Sequence, residues 1–374
     1  MRLLSLIVAV ALPTWAQTTC PTRSSWPTDA WPVNLVDSTA KAAQVKTLED
    51  YAFTLTGADA ERLGLRTDAL LIIKGGVIKY ERYGRGYGPT NRHISWSVAK
   101  SITSGLVGAA VLHGALSIDD SICAYLPEYS GKVCDIKVKD PITFGTGLDW
   151  QEGYEHSSYQ TSSVISMFFG VGHRDQLKHI LTHRFYATPG TGWRYSTGDA
   201  ELAATVAKRA LEAKVGPNPF WTVLFDKIGM SNVIVEEDAK GAVLGGSHVF
   251  ATARDFARFG YLFLNDGCWN GERLLPQGWV AQSTTVSALF KASAGSNVVT
   301  PAGYSWWLNQ AVPEHGMPKP WPDVPGDAYT ADGHWGQFIV VVPSEDVVIM
   351  RLGDDRNDAV DLNRLISYSL EVVR

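Results

Sequence analysis

Strand-like runs stand near both ends of this chain, and helical spacing fills most of what lies between. Ala69 to Ile73 is a short apolar run, Gly75-Gly76 is a turn signal, and Val77 to Tyr83 alternates apolar and polar residues, the pattern of a β-hairpin. Far along the sequence Tyr304 to Leu308, Phe338 to Val342 and Val347 to Leu352 read as strands. The last two are separated by the turn Pro343-Ser344-Glu345-Asp346, and a final helix spans Asp361 to Val373. After the hairpin, apolar residues recur at Val98, Ile102, Leu106, Val107, Ala110 and Val111, which predicts a helix over Ser97 to His113. From about 115 to 290, helical segments such as Asp199 to Ala213 and Ala253 to Leu264 alternate with glycine- and proline-marked loops, without a convincing internal repeat. The expected class is α+β: one antiparallel sheet formed by N- and C-terminal segments, flanked by helices, with a mainly helical subdomain inserted at about 115–290.

Composition narrows the function classes. Of 374 residues 45% are hydrophobic and 19% charged, enough apolar material for a large core. With 33 lysines and arginines against 38 aspartates and glutamates, and no long block of either sign, nucleic acid is an unsuitable partner. Arg2 precedes an apolar run, Leu3 to Leu12, and the small residues Thr14 and Ala16 follow it, a signal-peptide pattern with cleavage expected after Ala16. At about ten residues that run is shorter than the roughly 20 needed to span a bilayer, and no other stretch approaches that length. Cys20 follows two threonines rather than a small residue, which argues against a lipoprotein anchor. Residues 17 to 45 carry prolines and tryptophans without period and read as an extended segment wrapped over the body.

The four cysteines, Cys20, Cys123, Cys134 and Cys268, favour disulfides in an exported chain. Cys123 and Cys134 flank the turn-rich stretch containing Pro127, Tyr129, Ser130 and Gly131 and are the first expected pair. Cys20 with Cys268 then follows by elimination, buried free thiols being the alternative.

Ser97-Val98-Ala99-Lys100 places a hydroxyl and an amine three residues apart, hence on one face of a helix, with the serine at the positive end of the dipole. A lysine accepts a serine proton only when its amine is neutral, and a desolvated, cation-rich site near a helix N-terminus shifts it that way. The ordinary alternative is a serine N-cap with a solvated lysine one turn on. The chain holds a second example of the same form, Ser38-Thr39-Ala40-Lys41, in the polar segment ahead of any strand, whereas Ser97 opens an apolar helix just after the hairpin. A second element, Pro189 to Asp199, is a turn leading into a helix and carries Tyr195, a candidate acid/base or else a core tyrosine. A third, Asp332-Gly333-His334-Trp335-Gly336-Gln337, precedes the strand at Phe338, where glycines let a strand edge approach a substrate and its N–H groups hold an oxyanion.

In order and separation these three elements resemble the serine β-lactamase and penicillin-binding-protein superfamily, nearest to its class C, esterase and 6-aminohexanoate-oligomer hydrolase branch. Ile142 to Trp150, Ala251 to Gly260 and Gly336 to Pro343 are similar too, so the resemblance covers about residues 65 to 355. It implies a β-lactamase/transpeptidase-like catalytic domain at 65–355, after a signal peptide (1–16) and an N-terminal extension (17–64), and before a C-terminal helix on the sheet (356–374). It further implies Ser97 as acylated nucleophile, Lys100 as its proton acceptor and Tyr195 as partner acid/base. His334 to Gly336 would be the substrate-side strand, and the N–H groups of Ser97 and Gln337 the oxyanion hole. Two departures stand out: Thr197 where β-lactamases of this type have asparagine, and His334 where they carry lysine. Both weaken recognition of a β-lactam carboxylate and suit the esterase and linear-amidase branch.

Trp150, Tyr154, Tyr159 and Thr197 are the expected pocket residues. His179 and His183 lie four apart but lack a third ligand, so no metal is expected, nor any organic cofactor. The absence of a Gly-x-Ser-x-Gly elbow around the candidate serine argues against an α/β-hydrolase, and core packing is the ordinary reading of tryptophans such as Trp306 and Trp307. The expected function is an exported serine hydrolase acting on a small-molecule amide or ester. A true β-lactamase or D-Ala-directed peptidase, and a non-catalytic penicillin-binding or sensor protein, are the alternatives.

Overall fold

The apolar runs from the two ends meet in one sheet. Its strands are β1 (Thr67–Lys74), β2 (Val77–Tyr83), β3 (Trp307–Leu308), β4 (Tyr329–Gly333), β5 (Gln337–Val342) and β6 (Val347–Gly353). They are ordered β2-β1-β6-β5-β4-β3, each pair antiparallel. The seam between the two ends is β1 against β6, with Leu71 opposite Met350 and Ile72 opposite Ile349. This computed structural model describes residues 19–155, 157–293, 298–356 and 359–374, so the expected signal peptide lies outside the described residues.

The inner strands are apolar without alternation because both faces of the sheet are covered. Ala69, Leu71 and Ile73 of β1 enter a core shared with helices α2 (Val98–Leu112), α3 (Thr197–Val215) and α4 (Ala253–Leu264). Leu70 and Ile72 point the other way, onto α1 (Ala42–Phe53) and α5 (Leu362–Val373), which supply Leu48, Ala52, Leu365, Ile366 and Leu370. The helix expected over Ser97 to His113 is α2, with Ser97 as its N-cap residue. The stretch Tyr304 to Leu308 is shorter as a strand than expected. Ser305 adopts φ +61° and donates its N–H to the Gly303 carbonyl at 3.0 Å, so a turn occupies the first half.

Residues 19–41 run over the body, with Trp31 buried and its indole N–H donating to the Arg254 carbonyl at 3.0 Å. Cys20 is bonded to Cys268 and Cys123 to Cys134, leaving no free cysteine among the described residues. In the described residues no helix is long and apolar enough to cross a membrane.

Candidate active site

The residue before Ser97 is held in an uncommon conformation: Trp96 has φ +43°. Ser95 fixes the elbow by donating its hydroxyl to the Ser247 carbonyl at 2.9 Å and accepting the Val98 N–H on its own carbonyl at 3.2 Å. Helix α2 then carries Lys100 one turn on, and its Nζ stands 2.8 Å from Ser97 Oγ. The Thr197 hydroxyl at 2.9 Å and the Gly246 carbonyl at 2.8 Å are the amine's two other contacts. Lys100 is buried, and burial brings its pKa down to about 8, against the opposing pull of Glu152 and Glu201. The cation-rich setting expected from the sequence is therefore not what lowers it: desolvation does, and the neighbouring charges are carboxylates.

Tyr195 reaches this pair from the loop entering α3, where the Ser196 side chain caps the helix by accepting the Asp199 N–H at 2.9 Å. Phe144 at 4.9 Å and Trp307, stacked at 5.6 Å between centroids, hold its ring, and Lys100 Nζ lies 4.9 Å from the ring centre. The Ser97 side chain is near enough to pull the phenol's pKa downward. Burial, then the charge of Glu152, pushes its pKa well above the usual value, so it rests as a proton-bearing phenol rather than a phenolate. Glu152 organises this corner. Its carboxylate accepts the Thr197 N–H at 3.0 Å, the Trp150 indole N–H at 2.6 Å, the Thr197 hydroxyl and the Tyr154 hydroxyl.

The strand side departs from expectation. His334 and Trp335 form the hairpin turn between β4 and β5, closed by the Gly336 N–H donating to the Gly333 carbonyl at 3.1 Å. Gly336 serves structure there. At φ +89° it lies against the buried Arg351–Asp355 ion pair, where a Cβ would stand 2.2 Å from Arg351 Nη1, and its carbonyl accepts from that nitrogen at 2.7 Å. Gln337 is fully buried in β5, one strand further from Ser97. Its side chain is taken up by the Gly353 carbonyl at 2.7 Å, the Gly353 N–H at 3.0 Å and the His334 carbonyl at 3.0 Å.

The strand that approaches Ser97 is β4. A Cβ on Gly333 would come within 2.4 Å of the Ser95 carbonyl. Asn309 N–H donates to the Ala328 carbonyl at 3.0 Å, so alternation turns the backbone groups of Ala328, Thr330 and Asp332 toward the β3 side. Register pairs β3 with Thr330 and Tyr329, and the Asp332 N–H faces the edge beyond them.

Of the expected pocket residues, Thr197 and Tyr154 are at the site. Tyr154 stacks on His334 at 4.6 Å, and the His334 Nε2 is 2.9 Å from Glu155. Trp150 does not line a pocket. It is 1% exposed, packed under the start of α3 where a Cβ on Gly198 would stand 2.7 Å from its ring. Tyr159 lies on an outer turn, 57% exposed, over Gly170. His183 contacts the His179 carbonyl at 2.9 Å and the Ser163 hydroxyl at 3.1 Å, and among the described residues no group of three or more potential metal ligands stands together. Glu152 and Gly246, which meet Thr197 and the Lys100 amine, had no motif to mark them. Trp307, read as core, turns out to support Tyr195.

Comparison with known proteins places the fold. Residues 54–372 match the family model for beta-lactamase. A 6-aminohexanoate-dimer hydrolase of Paenarthrobacter ureafaciens is 28% identical over 300 residues, covering 76% of this chain and 72% of that protein. Among solved structures, a family VIII carboxylesterase aligns at TM-score 0.65 and 16% identity, covering 91% of this chain and 99% of that one. A class C beta-lactamase aligns at TM-score 0.61 and 13% identity, covering 91% and 98%.

Proposed function

The chain belongs to the beta-lactamase family, a family of hydrolases, and on that premise we propose that it cleaves an amide or ester bond through an acyl-enzyme on Ser97. The observation that carries this is the buried 2.8 Å contact between Ser97 Oγ and a lysine whose pKa is brought down to about 8. The neutral fraction of Lys100 takes the Ser97 proton as Oγ bonds to the substrate carbonyl carbon. The N–H of Ser97 and an N–H on the edge of β4, the strand that comes up against Ser95, receive the oxyanion, in place of the Gln337 N–H expected from the sequence. Tyr195 gives its proton to the leaving oxygen or nitrogen as that bond breaks, and regains one from the Lys100 ammonium. Water then attacks the acyl carbonyl, its proton passes to the same pair, and Ser97 leaves with its hydroxyl restored.

The lack of a lysine at the strand and of an asparagine at Thr197 supports the esterase and linear-amidase side of the family. We further assign the chain to the exported proteins, on the N-terminal apolar run and the two disulfides. The division into signal peptide (1–16), extension (17–64), catalytic domain (65–355) and C-terminal helix (356–374) is the working scheme.

The test compares the processed protein with its Ser97→Ala variant on a short-chain nitrophenyl ester, a linear 6-aminohexanoate dimer and a chromogenic cephalosporin. Serine-dependent turnover of ester or linear amide, without the cephalosporin, is expected. Fast cephalosporin turnover would make the protein a β-lactamase, stoichiometric labelling without release would make it a binder, and full activity in Ser97→Ala would remove the proposal.

A further inference from the structure

Two carboxyl groups act on Lys100, and their surroundings differ. Glu152 is well supplied with donors, among them the Thr197 N–H at 3.0 Å and the Trp150 indole N–H at 2.6 Å. Glu201 lies four residues after Thr197, one turn along the same face of α3, and is fully buried. A Cβ on Gly246 would stand 3.3 Å from Glu201 Oε1 and 2.8 Å from the Thr197 carbonyl oxygen, so this side chain backs the glycine whose carbonyl takes the Lys100 amine at 2.8 Å. From α2, Thr103 donates its hydroxyl to the Gly245 carbonyl at 2.7 Å, which ties the same segment down on its other side.

Neither carboxyl oxygen of Glu201 accepts a well-formed hydrogen bond, and both are buried. Lys100 is the one cation among the groups acting on it, Asp238 opposes that pull, and the N–H groups of Gly246 and Gly245 are near enough to draw its pKa down. Burial outweighs them and holds the carboxyl well above its ordinary range. A buried carboxylate without good partners takes up a proton rather than keep its charge. The needs of the base agree with this. Glu201 pulls Lys100 toward the ammonium only when it is ionised, and an ammonium cannot accept the Ser97 proton.

We propose that Glu201 is an uncharged carboxylic acid in the working protein and a positioning residue, backing Gly246 against the Lys100 amine without adding a negative charge that would lock the amine as an ammonium. Of two carboxyl groups near one lysine, Glu152 then carries charge and Glu201 does not. The inference rests on the reading of Lys100 as proton acceptor.

The test uses Glu201→Gln, which copies a neutral acid in shape and charge, and Glu201→Ala, which empties the space behind Gly246. In infrared difference spectra of wild type against Glu201→Gln at pH 7, the carbonyl stretch of a protonated carboxylic acid is expected, and carboxylate bands in its place overturn the proposal. In kcat/KM against pH on a nitrophenyl ester, the acid limb of Glu201→Gln is expected within about 0.3 pH unit of wild type, while Glu152→Gln moves it to lower pH. A similar downward shift in Glu201→Gln means that Glu201 is charged, and overturns the proposal as well. Glu201→Ala should lose about tenfold in kcat/KM, since a displaced carbonyl misplaces the amine, and Glu201→Gln should recover most of it. No loss in the alanine variant, or an equal loss in the glutamine variant, overturns the positioning role. If Glu201→Ala does not fold, the two comparisons with Glu201→Gln decide. If the wild-type protein turns over no substrate, the acyl-enzyme reading fails, and the infrared band by itself decides the charge of Glu201.

Discussion

The chain contains the same four-residue form twice, and the two copies differ in almost everything that matters for chemistry. Ser38 to Lys41 lies in an exposed turn, where Thr39 N–H donates to Asp37 Oδ1 at 2.8 Å and the Lys41 amine lies 3.4 Å from the Glu371 carbonyl. Ser97 to Lys100 begins a buried helix, and its lysine meets a serine hydroxyl, a threonine hydroxyl and a carbonyl away from water. Helical spacing is available to both. Only the second is desolvated, and desolvation converts an ordinary ammonium into a base that titrates near neutrality.

The comparison breaks most decisively at the serine. Ser97→Ala should lower kcat/KM on a nitrophenyl ester by about 10³-fold or more, while Ser38→Ala stays within about twofold. Steady-state assays of the two variants side by side check this. At the lysine, Lys100→Met should cost about 10²- to 10³-fold, and Lys100→Arg should not rescue it, because a guanidinium stays protonated. Recovery in the arginine variant would mean that the positive charge, rather than the proton-accepting role, is what the site needs.

The pH profile sharpens the contrast further. Lys100 must be neutral to act and its pKa is brought down to about 8, so activity should rise about tenfold per pH unit below that value and level off above it. A flat profile from pH 6 to 9 with the chemical step limiting would remove Lys100 as the base. A smaller effect is expected from Glu152→Gln. The Glu152 charge favours the ammonium form of Lys100, so neutralising it should move the acid limb to lower pH, an upward shift being the contrary result. Smallest of all, Lys41→Met should leave both rate and profile in place.

A second contrast concerns stability. Asp355 holds Arg351 in two hydrogen bonds of 2.7 and 2.8 Å, both residues fully buried, and accepts the Arg66 N–H as well. Removing it in Asp355→Ala leaves a buried guanidinium and should cost about 3–5 kcal/mol in denaturant unfolding, whereas removing the exposed Lys46–Asp50 pair should cost under about 1 kcal/mol.

Much of the fold was legible because it is written locally. The hairpin followed from Gly75-Gly76 between two strand patterns, α2 and α4 from apolar spacing, and α5 from the polar Asp361 that caps it by accepting the Arg364 N–H at 3.1 Å. Ser97, Lys100 and Tyr195, the proposed nucleophile, base and acid, were marked by their motifs and a family resemblance, and the fold brings the three side chains together. The errors share a cause. Trp150 and Tyr159 were placed at the pocket because they lie in the loop after Gly147, and no periodicity said that one ring faces the core and the other the solvent. Gln337 was carried over from the family resemblance, while the edge nearest Ser97 is decided by which strand of a hairpin lies outermost. Gly246, which receives the Lys100 amine, is 146 residues away in sequence.

The sequence by itself determined the elements, the two-ended sheet, the disulfide candidates and which residues could be nucleophile, base and acid, since each depends on side-chain type and spacing within a few turns of chain. Tertiary structure alone decided which of two Ser-x-x-Lys motifs lost its water, which strand comes up against the elbow before Ser97, and that Glu152 and Gly246 stand beside Thr197 and Lys100. Those properties are set by what is packed within a few ångströms, and burial is a property of neighbours that the chain brings together only on folding.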